Sequence, residues 1–597
     1  MLRKLLVFTL LLLACAEPSP RAATVPAPAA HAPALAPAAV APTPAPEPPA
    51  PALLPGVAEG KDGAVSSAEP NASRIGLEVL KRGGHAVDAA VAVAFALAVT
   101  HPSAGNLGGG GFMVVRTSSG ESVAIDFREI APRAATKKMY LDKKGELTKD
   151  SVLGAKAAGI AGSVAGMELA HKRFGKQPWK SLVEPAVALA RDGHTLDDSH
   201  AQTMAEAAAQ MRTAGFVDSA VIYEGEGGRV LAAGETWKQA QLAATLQVIA
   251  DEGGRSFYEG ALADRIVRGV KKLGGIWSKQ DLKGYQAVER KPIELDYRGH
   301  HVITMPPPSA GGIVLRQILA ASEQLRIYEK PYRSVDAFHL YVEAARRAYA
   351  DRNHWVGDPD FAPVPVEQLT ALPYIESRMR DIDPARATPS SQVAPGTLAD
   401  TKESEDTTHF SVVDREGNAV AVTYTLNGSF GAKVVVPETG ILLNNEMDDF
   451  SAKPGSANAY GLVQGERNAI APKKRMLSSM TPTIVTKNGQ LRAVLGTPGG
   501  PTITNTVAEI LMALVDHDQP LEHAVRAARI HHQWLPDAIM AEEQLEPALA
   551  EGLAARGHAI TKRGTIGHAS CIERNEKTGV LRAVADVTRG GGGAEAY

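Results

Sequence analysis

The sequence predicts a large mixed α/β domain, and three stretches carry that prediction. Ala86 to Thr100 is apolar on nearly every side, the pattern of a helix buried inside a large protein. From about Gly162 to Arg386 the periodicity is mostly helical, as in Thr236 to Glu252 and Val335 to Arg352, with shorter extended pieces such as Gly299 to Pro306. From Asp406 to Asn427, two runs rich in Val, Thr and aromatics flank the punctuation Asp414 to Asn418 and read as a β-hairpin. Strand-like alternation returns near the C-terminus.

At 597 residues the chain is ample for one large core, and 44% hydrophobic with 22% charged residues is ordinary for a soluble globular protein. A formal charge of −3 argues against nucleic-acid binding and against a basic membrane surface. Cys15 and Cys571 are the only cysteines, too few for a disulfide framework or an ordinary thiolate metal site.

The first residues form a targeting segment. Arg3-Lys4 supplies positive charge and Leu5 to Ala14 is an apolar run too short to span a bilayer. Leu12-Leu13-Ala14-Cys15 looks like a bacterial lipobox, which makes Cys15 a lipidation site. Cleavage after Ala14-Cys15-Ala16 as a plain secretory signal is the competing reading, and both export the protein. Glu17 to Pro55 is almost wholly Ala and Pro, an extended and semi-rigid spacer.

The globular part starts near Gly56. Asn71 to Arg82 is an amphipathic helix with Ile75, Val79 and Leu80 on one side, stopped by Gly83-Gly84. Gly108-Gly109-Gly110-Gly111 is not a phosphate loop: no Lys-Ser or Lys-Thr follows, and it leads into a strand where a nucleotide fold needs a helix. Close backbone packing explains it better. Ala124 to Glu129 is a strand end carrying Asp126, Arg128 and Glu129. Pro306 to Gly312 is a rigid loop before another helix, and Ala387 to Asp406 is polar and aperiodic, as an exposed cleavage loop would be.

Within the hairpin, Arg415-Glu416-Gly417 suits a three-residue loop with Gly417 in the left-handed position. That register sets Thr407 opposite Thr425, with a Cβ separation of roughly 4.5–5.5 Å. Asn427, two residues on, would project from the same face. Downstream, Gly440 to Phe450 is a buried strand followed by Glu446, Asp448 and Asp449, without the glycine spacing of a calcium loop. Gly499-Gly500 ahead of a helix exposes successive backbone N–H groups, the chemistry of an oxyanion hole. His531-His532 is expected to pack or to support the site from behind and not to bind metal, since adjacent histidines point different ways and no His-Glu-x-x-His helix is present. Cys571 is expected to be buried and inert.

Asp406-Thr407-Thr408-His409-Phe410-Ser411-Val412-Val413-Asp414, with Thr423-Tyr424-Thr425-Leu426-Asn427 after it, resembles the start of the small subunit of gamma-glutamyltranspeptidases. Comparable matches recur from about Val65 to Tyr597. The resemblance implies an N-terminal-nucleophile hydrolase with a four-layer αββα sandwich and no cofactor or metal. It implies a chain that cleaves itself between Asp406 and Thr407. After the signal (1–15) and linker (16–55), residues 56–406 would then form a large subunit interlocked with a small subunit, 407–597. Thr407 would be the nucleophile, Thr425 its orienting partner, and Gly499 and Gly500 the oxyanion donors. Arg128, Ser478 and Ser479 would hold the α-carboxylate of a glutamyl donor such as glutathione, and Glu446 and Asp449 its α-ammonium. Asn427 would line the pocket, and Tyr460, in the Gly- and Ala-rich stretch Ser451 to Asn468, would close over it as a lid. Glu446 stands where bacterial members often carry Gln, and Met476 where Pro is frequent. The acceptor would be water, an amino acid or a peptide. Cephalosporin acylases and polyglutamate-processing enzymes share the scaffold, and an uncleaved solute-binding lipoprotein is the alternative from another class.

Overall fold

The computed structural model describes residues 53–396, 407–453 and 466–597. The signal, Cys15 and the Ala/Pro spacer to residue 52 lie outside the described residues. So do Asp406 with the run 397–406, and Tyr460 with the run 454–465.

Two seven-stranded sheets form the centre. One runs Gly593–Ala596, Ala64–Ser67, Thr408–Val413, Ala419–Thr425, Gly110–Arg116, Ser122–Asp126, Val288–Arg290; the other runs Val57–Gly60, Leu581–Ala585, Ser570–Arg574, Gln490–Leu495, Thr483–Lys487, His300–Thr304, Ile293–Tyr297. Every pairing within them is antiparallel.

Strand alternation sorts the side chains into two cores. Phe112, Val114, Val413 and Ala421 face the second sheet and share a core with the helices Gly311–Gln324, Val335–Trp355 and Thr502–Asp516. Their neighbours Met113, Val115, Val412 and Val422 face the other way, onto the helices Ala86–Thr100, Ser163–Phe174 and Ala240–Glu252. Helices, sheet, sheet and helices therefore stack as an αββα sandwich, as the resemblance implied. All fifteen residues of Ala86–Thr100 are buried, which is why that segment lacks a polar face. Among the described residues no helix is long and apolar enough to cross a membrane.

Several local expectations hold with small shifts. The amphipathic helix is Pro70–Lys81, with Arg82 as its C-cap and Gly83 at φ 80°. The stretch read as helical from Thr236 divides into a short strand, Thr236–Trp237, and the helix Ala240–Glu252. The glycine run packs by backbone: a Cβ on Gly109 would overlap the Thr425 carbonyl oxygen, and one on Gly111 the Thr423 carbonyl oxygen. Cys571 is fully buried, and burial pushes its thiol up to about 12.

A buried carboxyl on Thr502–Asp516 gives a pH prediction. Burial pushes Glu509 up to about 8 from an ordinary 4.5, with Arg333 and Arg529 opposing it, and one of its oxygens has no hydrogen-bond partner. Between those two values the unfolded chain ionises this group while the folded chain keeps it protonated, so its contribution to stability is lost as pH rises. Glu509→Gln should therefore melt with wild type near pH 4 and a few degrees higher near pH 8.5. Thermal melts across that range check it, and a constant difference with pH would refute the assignment.

Candidate active site

The hairpin that organises the site has the register read from its turn. Thr408 pairs Tyr424 and Val413 pairs Ala419, so one further step sets Thr407 against Thr425. The Asp414 amide donates to the Asn418 carbonyl at 3.1 Å, and the Asp414 carboxylate accepts from the Asn418 amide at 2.9 Å. Gly417 sits at φ 86°, the left-handed position the loop requires.

Odd-numbered hairpin residues at its open end face the second sheet. His409 lies there between Thr423 Oγ1 at 2.8 Å and Ser411 Oγ at 3.1 Å, and Ser411 donates to the Ser570 carbonyl across the sheet interface. Burial pushes the His409 imidazole down to about 3, so it stays neutral as a polar strut. A Cβ on Gly496 would overlap the His409 ring, so the strand Gln490–Leu495 ends directly against it. Thr407 is the next odd residue out from His409, and Gly499-Gly500 follow Gly496 on the opposing sheet. The strut thus sets the hairpin against Gly496, at the end of the strand that leads into the glycine turn. His409 has no role legible in the sequence, because nothing local distinguishes a strut from any other strand histidine.

Thr407 is nearly buried, at 8% exposure, and Thr425 is fully buried. The Thr425 hydroxyl accepts from the Asn427 amide at 2.7 Å. Asn427 itself departs from the alternation expected of it. The strand stops at Thr425, Asn427 takes φ 71°, and its side-chain amide donates to the Asn445 carbonyl at 3.0 Å. It anchors the start of the acidic turn and does not continue the strand face.

Gly499 and Gly500 have φ 128° and 55°, and the helix Thr502–Asp516 begins two residues later. Their carbonyls are used by that helix: Gly499 O accepts from Thr502 and Gly500 O from Ile503. Among the described residues, neither of their amides donates a hydrogen bond. Pro501 O accepts from Tyr349 Oη, and His531 packs edge-on against the Tyr349 ring at 5.4 Å. Neighbouring His532 turns elsewhere and accepts from the Trp534 amide. His531 buttresses the turn from behind through Tyr349, while His532 packs toward Trp534 and Asp537.

The charged end of Ser122–Asp126 supplies the other half of the site. Arg128, 1% exposed, lies against Glu446 through one Nη and Asp449 through the other. Its Nη2 donates to the Leu477 carbonyl at 2.9 Å, Nε donates to Met476 at 3.3 Å, and Glu129 stands 3.7 Å away. Burial disfavours the cation, but Glu446, Asp449 and Glu129 outweigh it and hold the guanidinium charged beyond its ordinary range. Burial likewise pushes Glu446 well above the usual carboxylate range, and Glu129 up to about 8, with Arg128 opposing both. The sequence placed Arg128 facing the two carboxylates across a donor; in this structure they are in direct contact.

The shell around the cluster is built from long-range amide contacts. Asn444 accepts from the Glu446 amide at 2.9 Å and donates to Gly108 and Gly159. Asn468 donates to Asp449 O and accepts from the Leu477 amide. Ser478 is pinned by the Pro306–Gly312 loop: its amide donates to Pro308 O at 3.0 Å, and Ser309 and Ala310 donate to its carbonyl. Ser479 Oγ accepts from Arg352 at 3.0 Å. Arg352, on the helix Val335–Trp355, had no signal in the sequence beyond its helical periodicity. The structure thus brings Thr407 to Thr425, and Arg128 to Glu446, Asp449 and the Met476-Leu477 carbonyls that precede Ser478 and Ser479. It leaves Tyr460 and Asp406 undescribed.

Comparison with known proteins agrees with this geometry. The family model described as gamma-glutamyltranspeptidase matches residues 72–596. A glutathione hydrolase proenzyme of Escherichia coli (strain K12) is 47% identical over 513 residues, 86% of this chain and 88% of the relative. The crystal structure of a cephalosporin acylase from Bacillus halodurans superposes with a TM-score of 0.81 at 28% identity, covering 93% of this chain and 99% of that one. A Helicobacter pylori gamma-glutamyltranspeptidase structure has a TM-score of 0.54 at 43% identity, covering 56% of this chain and 95% of that one. A match across almost the whole folded region, on this sandwich and this hairpin, means that the chain belongs to the gamma-glutamyltranspeptidase family.

Proposed function

We propose that the protein is a self-processing gamma-glutamyltransferase and glutathione hydrolase that works through Thr407. The observation that carries this reading is the hairpin's open end, where Thr407 stands opposite Thr425 on the face whose His409 strut packs against Gly496, just ahead of the glycine turn. In the precursor the Thr407 hydroxyl attacks the Asp406 carbonyl, the C–N bond breaks as the acyl group moves to oxygen, and water hydrolyses the ester. This leaves an Asp406 carboxylate and a free α-amine on Thr407. The products are a large and a small subunit that remain a heterodimer.

The freed amine, with a pKa of about 7.7–8.0, is the base for the second reaction. It takes the proton as Thr407 Oγ attacks the γ-carbonyl of the donor and returns it to the leaving amine, cysteinylglycine in the case of glutathione. Thr425 orients the nucleophile, and the unengaged amides of Gly499 and Gly500 receive the tetrahedral oxyanion. The donor's α-carboxylate exchanges for Glu446 and Asp449 on the Arg128 fork, with Ser478 and Ser479 beside it, while its α-ammonium takes over the two released carboxylates. Asn427 lines the pocket and Tyr460 covers it. Water or an amine acceptor then removes the glutamyl group. No step requires a cofactor. The leader places the enzyme outside the cytoplasm, with Cys15 as a lipid anchor.

The likeness to a cephalosporin acylase keeps one second reading, hydrolysis of a glutaryl-type side chain on the same scaffold. Glu446 and Asp449 oppose it, since a glutaryl group has no ammonium for them to hold. The test is turnover of glutathione against a glutaryl amide by purified protein, with N-terminal sequencing of its bands. Glutathione should be the better substrate by at least about tenfold and the smaller band should begin at Thr407. Preference for the glutaryl amide would overturn the donor assignment.

A further inference from the structure

Residues 387–396 form the last described stretch before the proposed cleavage point, and they are held by side chains more than by secondary structure. Apart from one turn at Ser390–Gln392 the segment is irregular, so its backbone groups have no ladder to join. Besides Arg378, which donates to the Ala394 carbonyl at 3.0 Å, partners come from two sources on opposite sides of Thr407 in the sequence.

The first source is the long helix Val335–Trp355. Glu343, fully buried, accepts from the Thr388 amide at 3.1 Å and is itself held by Arg347 at 2.7 Å. Arg346 donates to Ser390 Oγ at 2.6 Å. Asp351 accepts from the Gly396 amide at 2.8 Å, while Trp355 Nε1 donates to the Gly396 carbonyl at 3.1 Å.

The second source lies in the small-subunit half. Asp537 accepts from the Ser390 amide at 2.7 Å and also pairs with Arg346. Trp534 Nε1 donates to both the Ser390 carbonyl at 3.1 Å and the Val393 carbonyl at 3.0 Å. Arg556 O accepts from the Ala387 amide at 2.8 Å. Ser390 is thus gripped on its amide, hydroxyl and carbonyl by groups from both halves.

Glu343, Arg346, Arg347 and Asp351 are buried charges, which cost solvation, whereas Asp537 reaches the segment from the exposed side; an apolar contact would hold a surface strand more cheaply. What they supply is a fixed position for the chain. We infer that this double clamp is a positioning device for self-cleavage, which fixes the polypeptide entering the scissile loop and keeps the new large-subunit tail docked afterwards. Asp537 and Trp534 are its positioning residues in the small-subunit half. This inference rests on the self-cleavage reading given above.

The test uses the full-length precursor with Asp537→Asn and, separately, Trp534→Phe, which removes the N–H donor together with the five-membered ring that carries it and keeps an aromatic ring in place. Appearance of the two subunits is followed on denaturing gels, alongside thermal melts and the kcat and KM of fully matured enzyme. For both variants the maturation half-time should lengthen by about tenfold or more, while matured kcat/KM stays within about twofold of wild type. Maturation of Trp534→Phe at the wild-type rate would overturn the clamp, as would slowing matched by an equal loss of matured turnover. Thr407→Ala run in parallel separates the two ideas. If that chain also splits, the self-cleavage reading fails; if it stays whole while both clamp variants split normally, only the clamp falls.

Discussion

Thr407→Ala is expected to leave the protein as one uncleaved chain with glutathione turnover reduced by more than about 10³-fold. Two losses act together. The precursor lacks the hydroxyl that attacks the preceding carbonyl, and any chain cut by other means still lacks the nucleophile. The fold should survive, because Thr407 precedes the first hydrogen-bonded pair of the hairpin, Thr408 with Tyr424. The His409 strut and the glycine turn remain as they are. Thr407→Ser supplies the control: it restores a hydroxyl without the methyl, so both cleavage and turnover should return in part. Gels, N-terminal sequencing and donor kinetics on the three proteins check this. Normal maturation of Thr407→Ala would remove Thr407 as the processing nucleophile.

Much of this site could be read locally, and the reasons are physical. Hairpin geometry is set within some twenty residues by turn chemistry and period-two alternation, so Gly417 and the Thr407–Thr425 register followed from the chain itself. The glycine run could be separated from a phosphate loop because its consequence, a strand, is also local. Asn427 shows the limit of the same reasoning. Alternation continues only while the backbone stays extended, and the left-handed turn at Asn427 ends it. The clamp on residues 387–396 and the buttressing of Ser478 by the Pro306–Gly312 loop were not legible at all. They join elements far apart in the chain, and periodicity reports which face a residue lies on but never what lies opposite.

The αββα layers came from resemblance, since alternation and helical periods specify the elements but not how two sheets stack. The same distinction applies to charge. Arg128, Glu446 and Asp449 were each singled out, yet their direct contact across 318 and 321 residues depends on how the acidic turn folds back over the strand end.

That contact makes Arg128→Lys the second large expected effect. The guanidinium serves Glu446, Asp449, Leu477 O and Met476 O at once, from a planar fork with separate nitrogens for each direction. Lysine retains the charge, so the three surrounding carboxyls keep a counterion and the chain should fold and mature. Its single ammonium cannot span Glu446 and Asp449 while also reaching the two carbonyls. A donor α-carboxylate then meets a point charge already committed to its neighbours. Losing the bidentate charged contact, at about 1.5–3 kcal/mol, corresponds to a donor KM higher by roughly 10- to 100-fold. The kcat should change far less, because Thr407, Thr425 and the Gly499-Gly500 amides are untouched. Arg128→Ala should behave differently and lose stability by about 3–5 kcal/mol, since it removes the buried cation that faces Glu446 and Asp449. Donor KM, kcat, extent of maturation and melting temperature for both variants distinguish these outcomes. An unchanged KM for glutathione in Arg128→Lys would remove Arg128 from the donor site and leave it as a structural counterion alone.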